Sequence, residues 1–145
     1  MKLFTVTAFS MALMSSSVFA DGHATGDAEA GQKVFNKCKA CHAIVDADGE
    51  TIMKGGRTGP NLYGLYARVA GKSLIAAGEA GLEWDEENFV KYVADPKKFL
   101  VEYTDDTRAK SKMSFKLKKE QAAKDVWAYL VSVGPAVEAE SETDG

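Results

Sequence analysis

Cys38-Lys39-Ala40-Cys41-His42 is the stretch on which the reading of this chain turns. The pattern C-x-x-C-H is an attachment signature for a c-type haem. Two thiols about one helical turn apart can add to the two vinyl groups of a porphyrin. The histidine that follows them is placed to reach the iron with an imidazole nitrogen. Cys38 and Cys41 are the only two cysteines of the chain, so nothing else competes for them. A redox dithiol is the first rival reading, but that motif belongs at the end of a βαβ pattern, and none is visible. A zinc site is the second. It would need both His42 and His23, the only two histidines, and His23 lies in a Gly/Ala-rich stretch.

The first twenty residues read as a leader. Lys2 precedes the apolar run Leu3 to Leu13, three serines follow, and Val18-Phe19-Ala20 offers small residues for cleavage. This is the pattern of a secretory signal peptide cut after Ala20, and the apolar run is too short to span a bilayer. Residues 21–26 read as a flexible leader, 27–134 as one small domain and 135–145 as an acidic disordered tail. A domain of that size has a thin core of its own. A buried haem would supply much of it, and the apo chain is expected to fold poorly. Lys and Arg number 18 against 21 Asp and Glu, but the charges are segregated. Glu138, Glu140, Glu142 and Asp144 crowd the end, whereas Arg108, Lys110, Lys112, Lys116, Lys118 and Lys119 fall in a stretch without an acid. A solvated surface is the ordinary meaning of such a run.

Local signals place helices. Asp27 is a fitting N-cap for a first helix running into the cysteine motif, with Gly31, Val34, Phe35 and Cys38 on one face. Residues 43–56 read as loop, with Asp46-Ala47-Asp48-Gly49 as a turn. A short helix is expected around Leu74 to Ala77. Asp85 caps a helix whose apolar face is Phe89, Val90, Tyr92 and Val93. Asp95-Pro96 ends it and opens the next, anchored by Phe99 and Leu100. The last helix spans about Glu120 to Val133, with Gly134 and Pro135 as its stop. No strand alternation is visible.

The occupant of the iron's sixth position separates electron transfer from ligand chemistry. Past the leader the chain has two methionines, Met53 and Met113. Met113 sits in the polar stretch Ser111-Lys112-Met113-Ser114-Phe115 and is the expected sixth ligand. A thioether favours ferrous iron and raises the potential. Met53, His23 and an open position are the other readings.

Gly31-x-x-x-Phe35, Thr58-Gly59-Pro60-Asn61-Leu62, Trp84, Tyr92, Asp95-Pro96-Lys97-Lys98, Lys112-Met113-x-Phe115 and Ala128-Tyr129-Leu130 accompany the cysteine motif in a fixed order. In this the chain resembles the class I c-type cytochromes, specifically the bacterial cytochrome c2 and c550 group, relatives of mitochondrial cytochrome c. The resemblance covers about Asp27 to Val133. It implies an all-α fold of four to five helices and long loops wrapped around one covalent haem c. It implies that the Pro60 carbonyl holds His42, that Arg68 and Trp84 approach the haem propionates, and that Tyr92 bonds near the methionine sulfur. Gly31 and Phe35 would meet the last helix at Val126 and Tyr129. Lys37, Lys39, Lys97, Lys98, Lys110, Lys112 and Lys116 would form a docking ring.

The function implied is a periplasmic electron carrier, monomeric and not an enzyme, with no nucleic-acid partner. The implied donor is a cytochrome bc complex. The implied acceptor is a terminal oxidase, a photosynthetic reaction centre or a periplasmic reductase. Three departures stand out. The segment 69–83 is short and lacks the family's aromatic propionate partner, 103–110 reads as an insertion, and the acidic tail is extra.

Overall fold

Asp27 opens the first helix as expected. In the computed structural model, which describes residues 24–67 and 74–136, its carboxylate accepts the Ala30 N–H at 2.9 Å and α1 runs over Ala28–Phe35. Bonded turns carry the chain on without a break. Cys38 N–H donates to the Phe35 carbonyl at 2.8 Å, and His42 N–H to the Cys38 carbonyl at 3.0 Å. The cysteine motif is therefore an extension of α1, wound tightly enough to stack its two thiols. The expected leader, the acidic tail beyond Ala136, His23 and Arg68 lie outside the described residues.

The last helix, α5, spans Glu120–Val133, as the sequence predicts. It crosses α1 at Gly31, where a methyl group would collide with the Asp125 carbonyl and lie 2.9 Å from Tyr129 Cβ. Glycine is required there for the close approach of two backbones. Phe35 and Tyr129 close the crossing with ring centroids 5.6 Å apart. The expected partner Val126 is buried in the same core, but the atoms facing Gly31 belong to Asp125 and Tyr129. Asp125 is only 8% exposed. Its carboxylate accepts the Asp27 N–H and the Gln121 amide, both at 2.9 Å, which satisfies a buried charge at the positive end of α1.

Between these two helices lie three more. The short α2, Ile75–Glu79, packs against α4. Asp85 caps α3, Glu86–Ala94, by accepting the Asn88 N–H at 2.7 Å. Asp95 ends α3 and caps α4, Pro96–Thr104, with proline in the first turn where its missing N–H costs nothing. Aromatic rings tie the layers. Phe89 of α3 lies 5.3 Å from Trp127 of α5, and Trp84, Tyr92 and Phe99 follow one another edge to face at 5.2 and 5.8 Å.

One expectation needs correction. The stretch 43–56 is not all loop. Ile44–Val45 (β1) and Thr51–Met53 (β2) pair antiparallel, Ile44 with Met53 and Val45 with Thr51, leaving Ile52 bulged outward and 39% exposed. The hairpin is too short to show alternation, and polar bonds hold its turn: Asp46 accepts the N–H groups of Asp48 at 3.0 Å and Glu50 at 2.8 Å. Gly134, expected with Pro135 as the stop of the last helix, does end α5, in an extended conformation with φ −82° and ψ 178°. It serves close packing, since a methyl there would lie 2.6 Å from Tyr66 Cε1.

Candidate haem site

His42 enters the interior with its orientation already decided. Its Nδ1 lies 2.8 Å from the Pro60 carbonyl oxygen. A carbonyl only accepts, so Nδ1 carries the proton and Nε2 keeps its lone pair. Gly59 lies against the same ring, where a methyl would come within 2.8 Å of Nε2 and nearer still to Cε1 and Nδ1. The loop that supplies these restraints is itself pinned. Gly59 N–H donates to the Cys41 carbonyl at 2.8 Å, and Leu62 N–H to the Ala43 carbonyl at 3.1 Å. Asn61, quoted in the motif but given no role by sequence reasoning, clasps Val45. Its oxygen accepts the Val45 N–H at 3.0 Å and its amide donates to the Val45 carbonyl at 2.6 Å.

These residues pass the test for a covalent haem. One imidazole nitrogen is spent on a carbonyl, which fixes the tautomer and strengthens the other nitrogen as a ligand. Both cysteines are free, Cys38 one turn before His42 and Cys41 directly before it. As a free thiol Cys38 is pushed up to about 11, chiefly by burial, then by Cys41, with Lys37 pulling the other way. A reactive redox thiol needs the opposite shift, so the burial of Cys38 does not favour the dithiol reading. Among the described residues no cluster of three or more of His, Cys, Asp and Glu gathers to hold a metal ion, and His23, which the zinc reading needs, lies outside them.

Met113 reaches the interior from the long segment between α4 and α5. Its side chain is half-buried against the core, and Phe115 beside it is 37% exposed. Met53 belongs to β2, where it pairs with Ile44 and packs as core filler. The segment holding Met113 is fastened at both ends. Ser111 Oγ accepts the Met113 N–H at 3.1 Å and lies 3.3 Å from the Tyr92 hydroxyl. The Tyr92 hydroxyl thus contacts Ser111, to which sequence reasoning gave no role. At the far end Leu117 N–H donates to the Val93 carbonyl at 2.7 Å, and the Lys116 ammonium meets Asp95 at 2.6 Å. Trp84 is 7% exposed and stands edge-on to Tyr92, behind the same wall.

Lys37, Lys39, Lys97, Lys98, Lys110, Lys112 and Lys116 are all exposed. Asp95 joins two of their groups, since it accepts the Lys98 N–H at 3.2 Å and the Lys116 ammonium at 2.6 Å. The basic run is therefore not a uniformly solvated face, because an acid twenty-one residues upstream in the sequence partly neutralises Lys116. Lys98 also approaches Glu102 at 3.7 Å.

The Lys116 ammonium, and next the Lys98 N–H, hold the Asp95 carboxyl below its usual value. A carboxyl lowered on folding adds stability that is whole above its unfolded pKa, about 4, and drains away as pH falls through the folded value. The urea midpoint is therefore expected to fall on acidification below about pH 4, and Asp95→Asn should flatten that dependence. An equal acid dependence in the variant would show that Asp95 contributes nothing to it.

Two thiols and an orientated imidazole on bonded turns that continue a helix define the class of proteins that hold haem through thioether bonds. Comparisons with known proteins agree. The family model Cytochrome c matches residues 28–134. Cytochrome c-551 of Roseobacter denitrificans is 55% identical over 130 residues, covering 85% of this chain and 89% of that one. Cytochrome c2 of Cereibacter sphaeroides is 54% identical over 118 residues, covering 74% and 95%. The crystal structure of cytochrome c2 from Rhodobacter sphaeroides superposes with a TM-score of 0.72 at 53% identity, covering 79% of this chain and 99% of that one. The chain belongs to the cytochrome c family, as a class I bacterial member. It carries one covalently attached haem c and is an electron carrier, not an enzyme.

Proposed function

We propose that His42 Nε2 and the Met113 sulfur are the axial ligands of the iron, and that Cys38 and Cys41 form the thioethers. The haem, when bound, supplies a one-electron ferric/ferrous couple. The protein's part is to hold its ligands still. Pro60 and Gly59 fix the imidazole, and Ser111 and Tyr92 fix the start of the methionine segment. Trp84 and Arg68 serve the propionates. The observation that carries this reading is the His42–Pro60 bond, because it leaves His42 a single nitrogen for a metal.

The chain is exported to the periplasm, with residues 1–20 removed after Ala20. Residues 21–26 form a flexible leader, 27–134 the haem domain and 135–145 an acidic tail. Among the described residues no helix is long and apolar enough to cross a membrane, which fits a diffusible carrier. The carrier is a soluble monomer without a nucleic-acid partner. It takes electrons from a cytochrome bc complex and gives them to a terminal oxidase, a reaction centre or a periplasmic reductase. The lysines at Lys37, Lys39, Lys97, Lys98, Lys110, Lys112 and Lys116 steer it to acidic patches on those membrane complexes. Redox encounters of this kind bury little surface and depend on charge.

The test is the second-order rate of electron transfer against ionic strength. Steered association is expected to slow by about tenfold or more between low and high salt. Lys110→Glu combined with Lys112→Glu should slow it further at low salt and little at high salt. A rate indifferent to salt would remove the lysine ring from the mechanism.

A further inference from the structure

The methionine segment has no regular structure of its own between the end of α4 at Thr104 and the start of α5 at Glu120. Beside the core packing of Leu117 and Met113, its polar hold on the body is a few bonds to α3 and to the junction between α3 and α4. At the front the Ser111–Tyr92 contact is long, at 3.3 Å. At the rear there are two short bonds, Leu117 N–H to the Val93 carbonyl at 2.7 Å and Lys116 to Asp95 at 2.6 Å. Asp95 is unusually well placed for its share. One carboxylate oxygen caps α4 through the Lys98 N–H, and the other faces the Lys116 ammonium. The cap fixes the carboxylate before the lysine arrives, which lowers the entropy cost that makes most surface pairs worthless. The two side chains are 36% and 43% exposed, so the pair is partly shielded from water.

We propose that Asp95 and Lys116 are positioning residues for the axial methionine, acting as a latch that keeps the segment carrying Met113 closed over the haem. This rests on Met113 being the sixth ligand. The latch touches neither haem nor sulfur. It acts by biasing a segment that is either docked, with the thioether in place, or swung out, with the sixth position open. Lys116 is three residues beyond Met113, close enough that a docked ammonium restricts the ligand and far enough to leave it unstrained. The same pair sets the rear of the segment on the hinge where α3 gives way to α4. Movement at that hinge and release of the methionine are thereby coupled.

The experiment uses ferric holoprotein titrated with imidazole, which takes the sixth position only when the segment swings out. Asp95→Asn keeps a capping oxygen for α4 but loses the charge. Lys116→Gln removes the other partner, Lys116→Arg preserves it, and Lys118→Gln controls for net charge. Imidazole binding should tighten by about two- to five-fold in Asp95→Asn and in Lys116→Gln. It should tighten no further in the double variant, and should stay near the starting value in Lys116→Arg and Lys118→Gln. The methionine-to-iron band should also be lost at lower temperature in the two broken variants, ahead of the far-UV helix signal. Unchanged imidazole affinity, additive effects in the double variant or an equal effect of Lys118→Gln would overturn the latch. A charge-transfer band that survives Met113→Ala would instead remove the ligand assignment on which the latch rests.

Discussion

Met113→Ala is expected to abolish the methionine-to-iron charge-transfer band of the ferric protein. It should also lower the reduction potential by on the order of a tenth of a volt or more, within the roughly 0.8 V that axial ligands command. The reason is chemical softness. A thioether stabilises ferrous iron more than ferric, and among the described residues no second thioether is free to replace it. Met53 is built into β2 and packed against the core. Lys112, next to the vacated position, is a hard amine that would favour ferric iron. The ferrous variant should therefore bind carbon monoxide readily, whereas the parent protein resists it. Spectroelectrochemical titration of both proteins checks the prediction. An unaltered visible spectrum and potential would place the sixth ligand elsewhere.

Gly31→Ala should cost about 2–4 kcal/mol of stability, out of the 5–15 kcal/mol a domain of this kind has. Two effects oppose each other. Alanine in a helix interior is favoured over glycine by about 1 kcal/mol. Against this, the new methyl would overlap the Asp125 carbonyl and press on Tyr129 Cβ at 2.9 Å. The obstacle is helix backbone, which cannot swing aside as a long side chain can. Parting α1 from α5 to make room costs about 1–3 kcal/mol in overpacking. It also strains the hydrogen bonds of the buried Asp125, each broken bond leaving a polar group unsatisfied at about 1–3 kcal/mol. The steric and polar terms win. The guanidinium midpoint by far-UV circular dichroism should drop, and more so for Gly31→Val. A midpoint that rises with alanine would mean that the two helices do not touch through their backbones.

What the sequence revealed and what it hid follow one physical division. Helix starts were legible because a cap acts within three residues. Asp27, Asp85 and Asp95 each accept an N–H three positions on, at 2.9, 2.7 and 3.2 Å. The haem motif was legible for the same reason, since two thiols and an imidazole work through local spacing. Hidden were the polar groups whose partners lie far along the chain. Asp125 reads as a surface residue of α5 until Asp27, ninety-eight residues away in sequence, donates to it. Lys116 reads as one solvated lysine among many until α3 and α4 bring Asp95 against it. Ser111 carries no signal of its own, because its value lies in bridging Met113 to Tyr92. The small hairpin was missed because four paired residues and a bulge are too few to alternate, and side-chain bonds from Asp46 hold its turn. Gly134 was legible as the stop of α5, but its lack of bulk against Tyr66, sixty-eight residues upstream, was not.

The most direct trial is the intact mass of the protein purified from the periplasm of a host that matures c-type cytochromes. A polypeptide beginning at Asp21 and heavier by one haem, with the added mass surviving acidified acetone, is the outcome expected here. Bare polypeptide, or haem that washes out with the solvent, would refute the covalent site at Cys38 and Cys41.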